Sequence, residues 1–180
     1  MSEFKSFPAI ARWSKAVVIT EKIDGTNALV YVPESLDEAL EFGSRNRWIV
    51  PGDDNAGFAA WGVANAEELR KLGPGYHYGE WWGAGIGRRY GLSEKRFSLF
   101  NTHRWSDAAV RPACCDVVPV ILQRELTTNV IDEALDILKH NGSLVAPGFM
   151  DPEGIVTYHI AAQCGFKTTL KNDDKPKGQQ

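Results

Sequence analysis

One short segment, Glu21-Lys22-Ile23-Asp24-Gly25-Thr26-Asn27, gathers several side-chain types that can do chemistry. The amine of Lys22 is a covalent nucleophile once it is deprotonated and held. Burial or neighbouring cations would lower its pKa from the ordinary value of about 10.4. Gly25 is the turn residue, with Glu21, Asp24 and Asn27 around it. Taken alone, the segment favours a plainer reading, a solvated hairpin lysine paired with Glu21 or Asp24. Four further segments shift that balance. Tyr78-Gly79-Glu80-Trp81-Trp82-Gly83 sets a carboxylate among aromatics, and Phe97-Ser98-Leu99-Phe100-Asn101 sets two aromatics three apart. Pro152-Glu153-Gly154-Ile155-Val156 places a carboxylate directly before an apolar run, and Phe166-Lys167-Thr168-Thr169-Leu170-Lys171 supplies two cations.

The elements that must position these residues are mostly strands. Ala16–Thr20 and Ala28–Val32 are apolar, β-branched runs flanking the lysine segment, which reads as the turn between paired strands. Glu41–Val50 reads as a third strand. A helix is expected after Pro51-Gly52, capped by Asp53 or Asp54, with Phe58, Trp61, Leu69 and Leu72 on one face and Gly73-Pro74-Gly75 as the stop. Tyr76–Trp82, Arg96–Trp105 and Val117–Leu122 follow as strands, the last an edge because of Pro119. Val130–His140 is the clearest helix, with an apolar stripe through Ala134 and Leu138, Asn129 as cap and Gly142 as stop. Gly154–Ile160 and Phe166–Leu170 complete the strands. Many strands, two main helices and no regular alternation argue for an α+β fold with a largely antiparallel sheet.

Composition excludes several classes. With 43% hydrophobic and 24% charged residues the 180-residue chain is ordinary globular protein, neither disordered nor fibrous. It has no apolar run long enough to span a membrane and no secretory leader, and a cytoplasmic protein is expected. The three cysteines read as reduced thiols, Cys114 and Cys115 as a partly buried strand pair. The net charge of −3 is unlike that of a basic nucleic-acid-binding protein, although Arg45/Arg47, Arg88/Arg89 and Lys95/Arg96 are local basic pairs. There is no Walker loop, because no Gly-Lys pair occurs, and Gly83-Ala84-Gly85-Ile86-Gly87 reads as a backbone turn rather than a dinucleotide site. The four histidines lack metal-site spacing.

Taken in order, the five segments resemble the adenylyltransferase domain of ATP-dependent RNA ligases, within the covalent nucleotidyltransferase superfamily. The string Glu-Lys-Ile-x-Gly-Thr-Asn is most similar to the phage and RNA-editing branch. The resemblance covers residues 21–171. It implies a nucleotidyltransferase (ATP-grasp-like ligase catalytic) fold, mainly antiparallel sheets with a few helices around a nucleotide cleft. It further implies that Lys22 attacks the α-phosphorus of ATP to form lysyl-AMP, which is passed to a 5′-phosphate end and then displaced by a 3′-OH. By the same resemblance Arg45, with Arg47 as competitor, contacts the nucleotide or the attacking strand. Glu80 meets the ribose hydroxyls, and Glu21 also lies at the nucleotide. Phe100 stacks on adenine, with Phe97 as the alternative. Glu153 helps bind a divalent ion. Lys167 and Lys171 hold the α-phosphate, and Asp24 and Asn27 act around the metal or the 3′-OH. ATP and Mg²⁺ (or Mn²⁺) are the implied cofactors and RNA or nicked nucleic-acid ends the implied partners, with an accessory protein as a further one. A DNA ligase or capping-type enzyme, and a non-catalytic nucleotide- or nucleic-acid-binding module, are the alternatives.

The chain departs from the family pattern in three places. The family has Lys-x-Lys where three residues separate Lys167 from Lys171 here, a spacing that keeps both on one face of a strand. Asn101 stands where an aspartate is usual. Nine residues follow Lys171, where related enzymes carry a further domain. The expected organisation is therefore an adenylyltransferase domain over residues 1–171, a polar tail over 172–180 and no C-terminal accessory domain.

Overall fold

The chain leaves one sheet, builds a second and returns to the first. In the computed structural model, which describes residues 14–171 together with Ser6, Ala9, Ile10 and Arg12, the four-stranded sheet A has the order β10-β9-β1-β8. Its strands are β1 (Ala16–Lys22), β8 (Val120–Glu125), β9 (Gly154–His159) and β10 (Cys164–Thr169). All its pairings are antiparallel. The six-stranded sheet B has the order β4-β3-β2-β5-β6-β7. It comprises β2 (Thr26–Val32), β3 (Glu41–Gly43), β4 (Trp48–Ile49), β5 (Gly75–Gly83), β6 (Lys95–Leu99) and β7 (Asp116–Val117). Only β6 and β7 pair in parallel. This is the expected α+β class. The polar tail at 172–180 lies outside the described residues.

Each sheet buries one face. On sheet B, Ala28, Val30, Phe42, Ile49, Trp81, Phe97 and Leu99 point inward at strand period and pack on Phe58 and Leu69. On sheet A, Val17, Ile19 and Ile155 pack on Val130, Ala134 and Leu138. These three residues are four apart along helix α4 (Val130–Asn141), so they form one stripe. A third cluster of Ile23, Trp82, Tyr90, Val118 and Ala146 fills the seam where the chain crosses between sheets.

Several expected boundaries move, each for a local reason. Glu41–Val50 is a hairpin, not one strand: Ser44 N–H donates to the Arg47 carbonyl at 2.8 Å and closes the turn. The long helix breaks at Asn65 into α1 (Phe58–Ala64) and α2 (Ala66–Leu69), followed by a 3₁₀ turn over Arg70–Leu72. Asp54 does stabilise its start, accepting from Ala59 N–H at 2.8 Å and Ala60 N–H at 3.0 Å. Arg96–Trp105 ends as strand at Leu99. Asn101 Oδ1 then accepts from Arg104 N–H at 3.1 Å and opens helix α3 (Thr102–Trp105). The run at Val117–Leu122 divides between two sheets, because Pro119 marks the crossing from β7 to β8. Asn129 precedes α4 without a side-chain capping bond. The two adjacent cysteines lie in the turn before β7, not in a strand, with the Sγ atoms 3.8 Å apart. Among the described residues no helix is long and apolar enough to cross a membrane.

Candidate active site

Lys22 ends β1, one of the two interior strands of sheet A. It lies opposite Gly154, the first residue of β9, so the residue before that glycine arrives beside it. Lys22 Nζ is 2.5 Å from Glu153 Oε2, across 131 positions of sequence. Both side chains are largely shielded, at 19% and 10% exposure. Gly154 is required there: a Cβ would lie 2.2 Å from the Thr168 carbonyl, at φ +155.

Sheet B contributes Glu80 to the same place. The chain turns from β1 into β2 at Gly25, whose N–H donates to Glu80 Oε1 at 3.1 Å. Asn27 is the cross-strand partner of Glu80 and is exposed beside it. Burial pushes the Glu80 carboxyl up from 4.5 to about 7. The Lys22 charge and the Gly25 N–H oppose that rise, and Glu153 and Asp24 add to it. Unfolded, Glu80 loses its proton near 4.5, whereas folded it keeps the proton to about 7. Its contribution to stability is therefore complete below about 4.5 and is lost as pH rises through about 7. Glu80→Gln, which cannot ionise, is expected to flatten this fall by at most about 3 kcal/mol. Urea melts of variant and wild type on both sides of that window measure it, and parallel pH profiles would refute it.

Glu21 is the clearest correction. It faces away from the Lys22 side, as strand alternation requires, and is 1% exposed. Its carboxylate accepts from Ser143 Oγ–H at 2.6 Å and from the N–H groups of Leu144 and Val145 at 2.7 and 3.2 Å. Burial raises its pKa, against those three hydrogen bonds. Glu21 thus ties the loop after α4 to β1, and its side chain is not offered to a nucleotide. Glu21→Gln presents an NH₂ group to these donors. It is expected to lower stability by about 1–2 kcal/mol, read from the shift of a denaturation midpoint.

Asp24 sits in a charge chain that the sequence did not announce. Its carboxylate is 3.5 Å from Arg88 Nε. Arg88 Nη1 reaches Asp151 Oδ2 at 2.5 Å, and Lys171 Nζ reaches Asp151 Oδ1 at 2.6 Å. Asp24 N–H donates to the hydroxyl oxygen of the buried Tyr90 at 2.7 Å. Tyr90 and Asp151 are residues that sequence reasoning passed over, and Arg88 was named only as half of a local basic pair, without its partners. The available signal was the glycine run before Arg88: it does form a turn, with Ile86 N–H on the Gly83 carbonyl at 3.0 Å. At Gly87 any Cβ would lie 2.5 Å from the Asp24 carbonyl oxygen. Lys171 follows the end of β10 at Thr169, so the one-face argument for Lys167 and Lys171 fails. Lys167 remains on β10 opposite Val156, which is opposite Thr20. Directly paired residues share a face, so Lys167 and Lys22 lie on the same side of sheet A, and Lys167 is exposed.

The remaining candidates separate by what already occupies them. Arg47 is held by Asp53 through two bonds, at 2.6 and 2.9 Å. Arg45 lies exposed in the same turn and has no side-chain hydrogen bond or ion pair among the described residues, at the end of β3 that adjoins the start of β2. Phe97 is 1% exposed in the core and Phe100 is 41% exposed. Phe100 continues β6 beyond Ser98, the partner of Glu80, with its N–H on the Tyr78 carbonyl at 3.0 Å. It is therefore on the Glu80 face.

Among the described residues no group of three His, Cys, Asp or Glu side chains could hold a metal ion. A donor set of one or two carboxylates still fits Mg²⁺ or Mn²⁺ ligation completed by water and phosphate oxygens, and Glu153 and Glu80 are such carboxylates.

The family profile described as RNA ligase matches residues 15–172. The chain belongs to the RNA ligase family. Its fold is shared with solved structures of the family from Naegleria gruberi. An RNA ligase variant with ATP and Mn superposes at TM-score 0.63 and 20% identity, covering 86% of this chain and 49% of that one. The same protein with PPi gives 0.60 and 21%, covering 89% and 52%. An apo variant gives 0.62 and 21%, with the same coverage. The chain thus spans about half the length of these structures. No curated protein sequence matches it.

Proposed function

We propose that this member of the RNA ligase family is an ATP-dependent RNA ligase that works through lysyl-AMP, with residues 1–171 as its adenylyltransferase unit. The observation that carries the reading is Lys22 Nζ held 2.5 Å from Glu153 with Glu80 beside both. In the first step Glu153 Oε2 takes a proton from the Lys22 ammonium, the freed Nζ lone pair bonds to the α-phosphorus of ATP as the bond to pyrophosphate breaks, and the second Nζ proton passes to solvent. In the second, an RNA 5′-phosphate oxygen attacks the same phosphorus and the Nζ–P bond breaks. In the third, a 3′-OH displaces AMP. Phosphoryl transfer of this kind depends on positioning and charge neutralisation. In this reading Lys167 neutralises phosphate, Phe100 stacks on the base and Glu80 accepts from ribose hydroxyls. Asp24, Asn27 and Arg45 serve the strand ends, and Lys171 acts through Asp151. A divalent ion at Glu153 would supply charge neutralisation at the phosphates. The Naegleria gruberi structures with ATP and Mn are consistent with that requirement. The reduced cysteines suit a cytosolic setting.

The test is labelling with α-³²P ATP against GTP, followed by addition of RNA carrying a 5′-phosphate end and a 3′-OH end. The expected result is label on the protein from ATP alone, then label on the RNA 5′ end, then a sealed strand. No label from either nucleotide, with Mn²⁺ also tried, would refute it.

A further inference from the structure

The cleft face of sheet B does not end at Glu80. Residues that share a face with Glu80 and Asn27 continue along β5 and β2 as Tyr78 opposite Leu29, then Tyr76 opposite Tyr31. Phe100 extends the Tyr78 row on one side. On the other, Gly43 of β3 pairs with both Leu29 and Trp48. The rings touch in series. Trp48 and Tyr31 are 6.4 Å apart by centroid, Tyr31 and Tyr76 4.7 Å, and Tyr76 and Tyr78 6.5 Å with planes only 16° apart. They are open to solvent: Tyr76 and Tyr78 at 57%, Trp48 at 49% and Phe100 at 41%. The face opposite is the packed core of the sheet, so these rings are not needed to fold it.

We infer that this row is a stacking platform for the unpaired bases of an RNA strand leading to the end that is joined. The inference rests on the ligase reading above. Three features favour this occupant. The platform is continuous with the nucleotide site, on the same strands and the same face. It is aromatic rather than aliphatic, and aromatic faces bind bases without regard to sequence. From β4 to β5, short of the Phe100 ring given to adenine, it spans three interstrand gaps, about 14 Å, on the scale of the two or three bases that an aromatic-studded sheet accommodates. Arg45, without a side-chain partner among the described residues in the turn next to Trp48, is available for a phosphate of that strand. A duplex would present its backbone and not its base faces.

The experiment measures fluorescence anisotropy of a 5′-fluorescein oligouridylate of about ten nucleotides. It compares the wild-type chain, the double variant Tyr31→Ala/Tyr76→Ala and the conservative Tyr76→Phe. Lysyl-AMP formation, which requires no RNA, is read in parallel. The expected result is binding weakened about ten- to a hundredfold in the double variant. Tyr76→Phe is expected to bind like wild type, with lysyl-AMP unchanged in both. Equal affinity of wild type and double variant overturns the platform, as does a wild type that forms lysyl-AMP yet binds no oligonucleotide. A wild-type dimer by sedimentation that the double variant abolishes would assign the face to a second copy instead, and also overturn it. Tyrosine-dependent binding without lysyl-AMP would leave the platform standing and remove the ligase reading.

Discussion

Lys22→Ala incubated with ATP and Mg²⁺ is expected to gain no mass, whereas the wild-type chain gains one AMP. Among the described residues no second amine occupies the same position. Lys167 shares the face but stands two strands away, and Lys171 is engaged with Asp151. The variant also removes the partner of Glu153, which is 8% exposed. Breaking a shielded ion pair from one side leaves an uncompensated charge, so Lys22→Ala should lose about 2–3 kcal/mol of stability as well. Lost activity and lost folding are separated by the double variant Lys22→Ala/Glu153→Gln. It is expected to recover most of the stability and none of the adduct. An AMP adduct on Lys22→Ala, located by peptide mass spectrometry, would move the nucleophile elsewhere and refute the assignment.

Gly25→Ala is expected to lower stability and to slow adduct formation in the protein that still folds. A Cβ there would lie 2.5 Å from the Trp81 carbonyl oxygen, 2.8 Å from Glu80 Cγ and 2.8 Å from Trp82 Cβ. None of these can give way easily. β5 is laddered to β2 on one side and β6 on the other, and Trp81 and Trp82 are 2% and 1% exposed. The turn must move instead, and with it the N–H that holds Glu80 and the end of β1 that carries Lys22. Overpacking of this kind costs about 1–3 kcal/mol. A misplacement near 1 Å at the reacting amine costs about a hundredfold in rate. The rate of adduct formation in folded protein, corrected by the denaturation curve, checks the second figure. Gly165→Ala is the control: its Cβ would make only an ordinary contact, 3.6 Å from Val156 Cγ1. If Gly25→Ala forms the adduct at the control's rate, the turn does not set the geometry of Lys22.

The candidate site residues were named through the family resemblance, and strand alternation agrees with the side on which two of them lie. Glu80 lies on the open face of β5 because it is an odd number of residues from buried His77, and Lys167 lies on the Lys22 face by register. The same counting misleads where the element is wrong. Lys171 was placed by strand period, but the strand stops at Thr169. Arg96–Trp105 was read as one strand because its aromatics suit either state, and the capping bond of Asn101 decides in favour of a helix. Glu21 was drawn into the site by its neighbour, although adjacent strand residues face opposite ways. The pairing of Arg88 with Asp151 was invisible for another reason. Their meeting is set by a glycine turn and by a segment 63 positions later, and neither carries periodicity. The choice between Arg45 and Arg47 needed the position of Asp53, which only the closed hairpin supplies.

The chain's path between sheets bears on how it folds. Sheet B is contiguous in sequence and built largely from hairpins, whereas sheet A joins β1 to strands that are synthesised last. Glu21 N–H meets the Pro119 carbonyl at 3.0 Å, and Lys22 meets Glu153 across 131 positions. Such closures cost loop entropy that local pairing does not, so sheet B is expected to form first and sheet A to close over it. The nucleophile and its carboxylate partner would therefore come together only in the final stage. In a refolding experiment, the appearance of the AMP adduct would lag behind burial of the tryptophans in sheet B, making the chemistry itself a report that folding is complete.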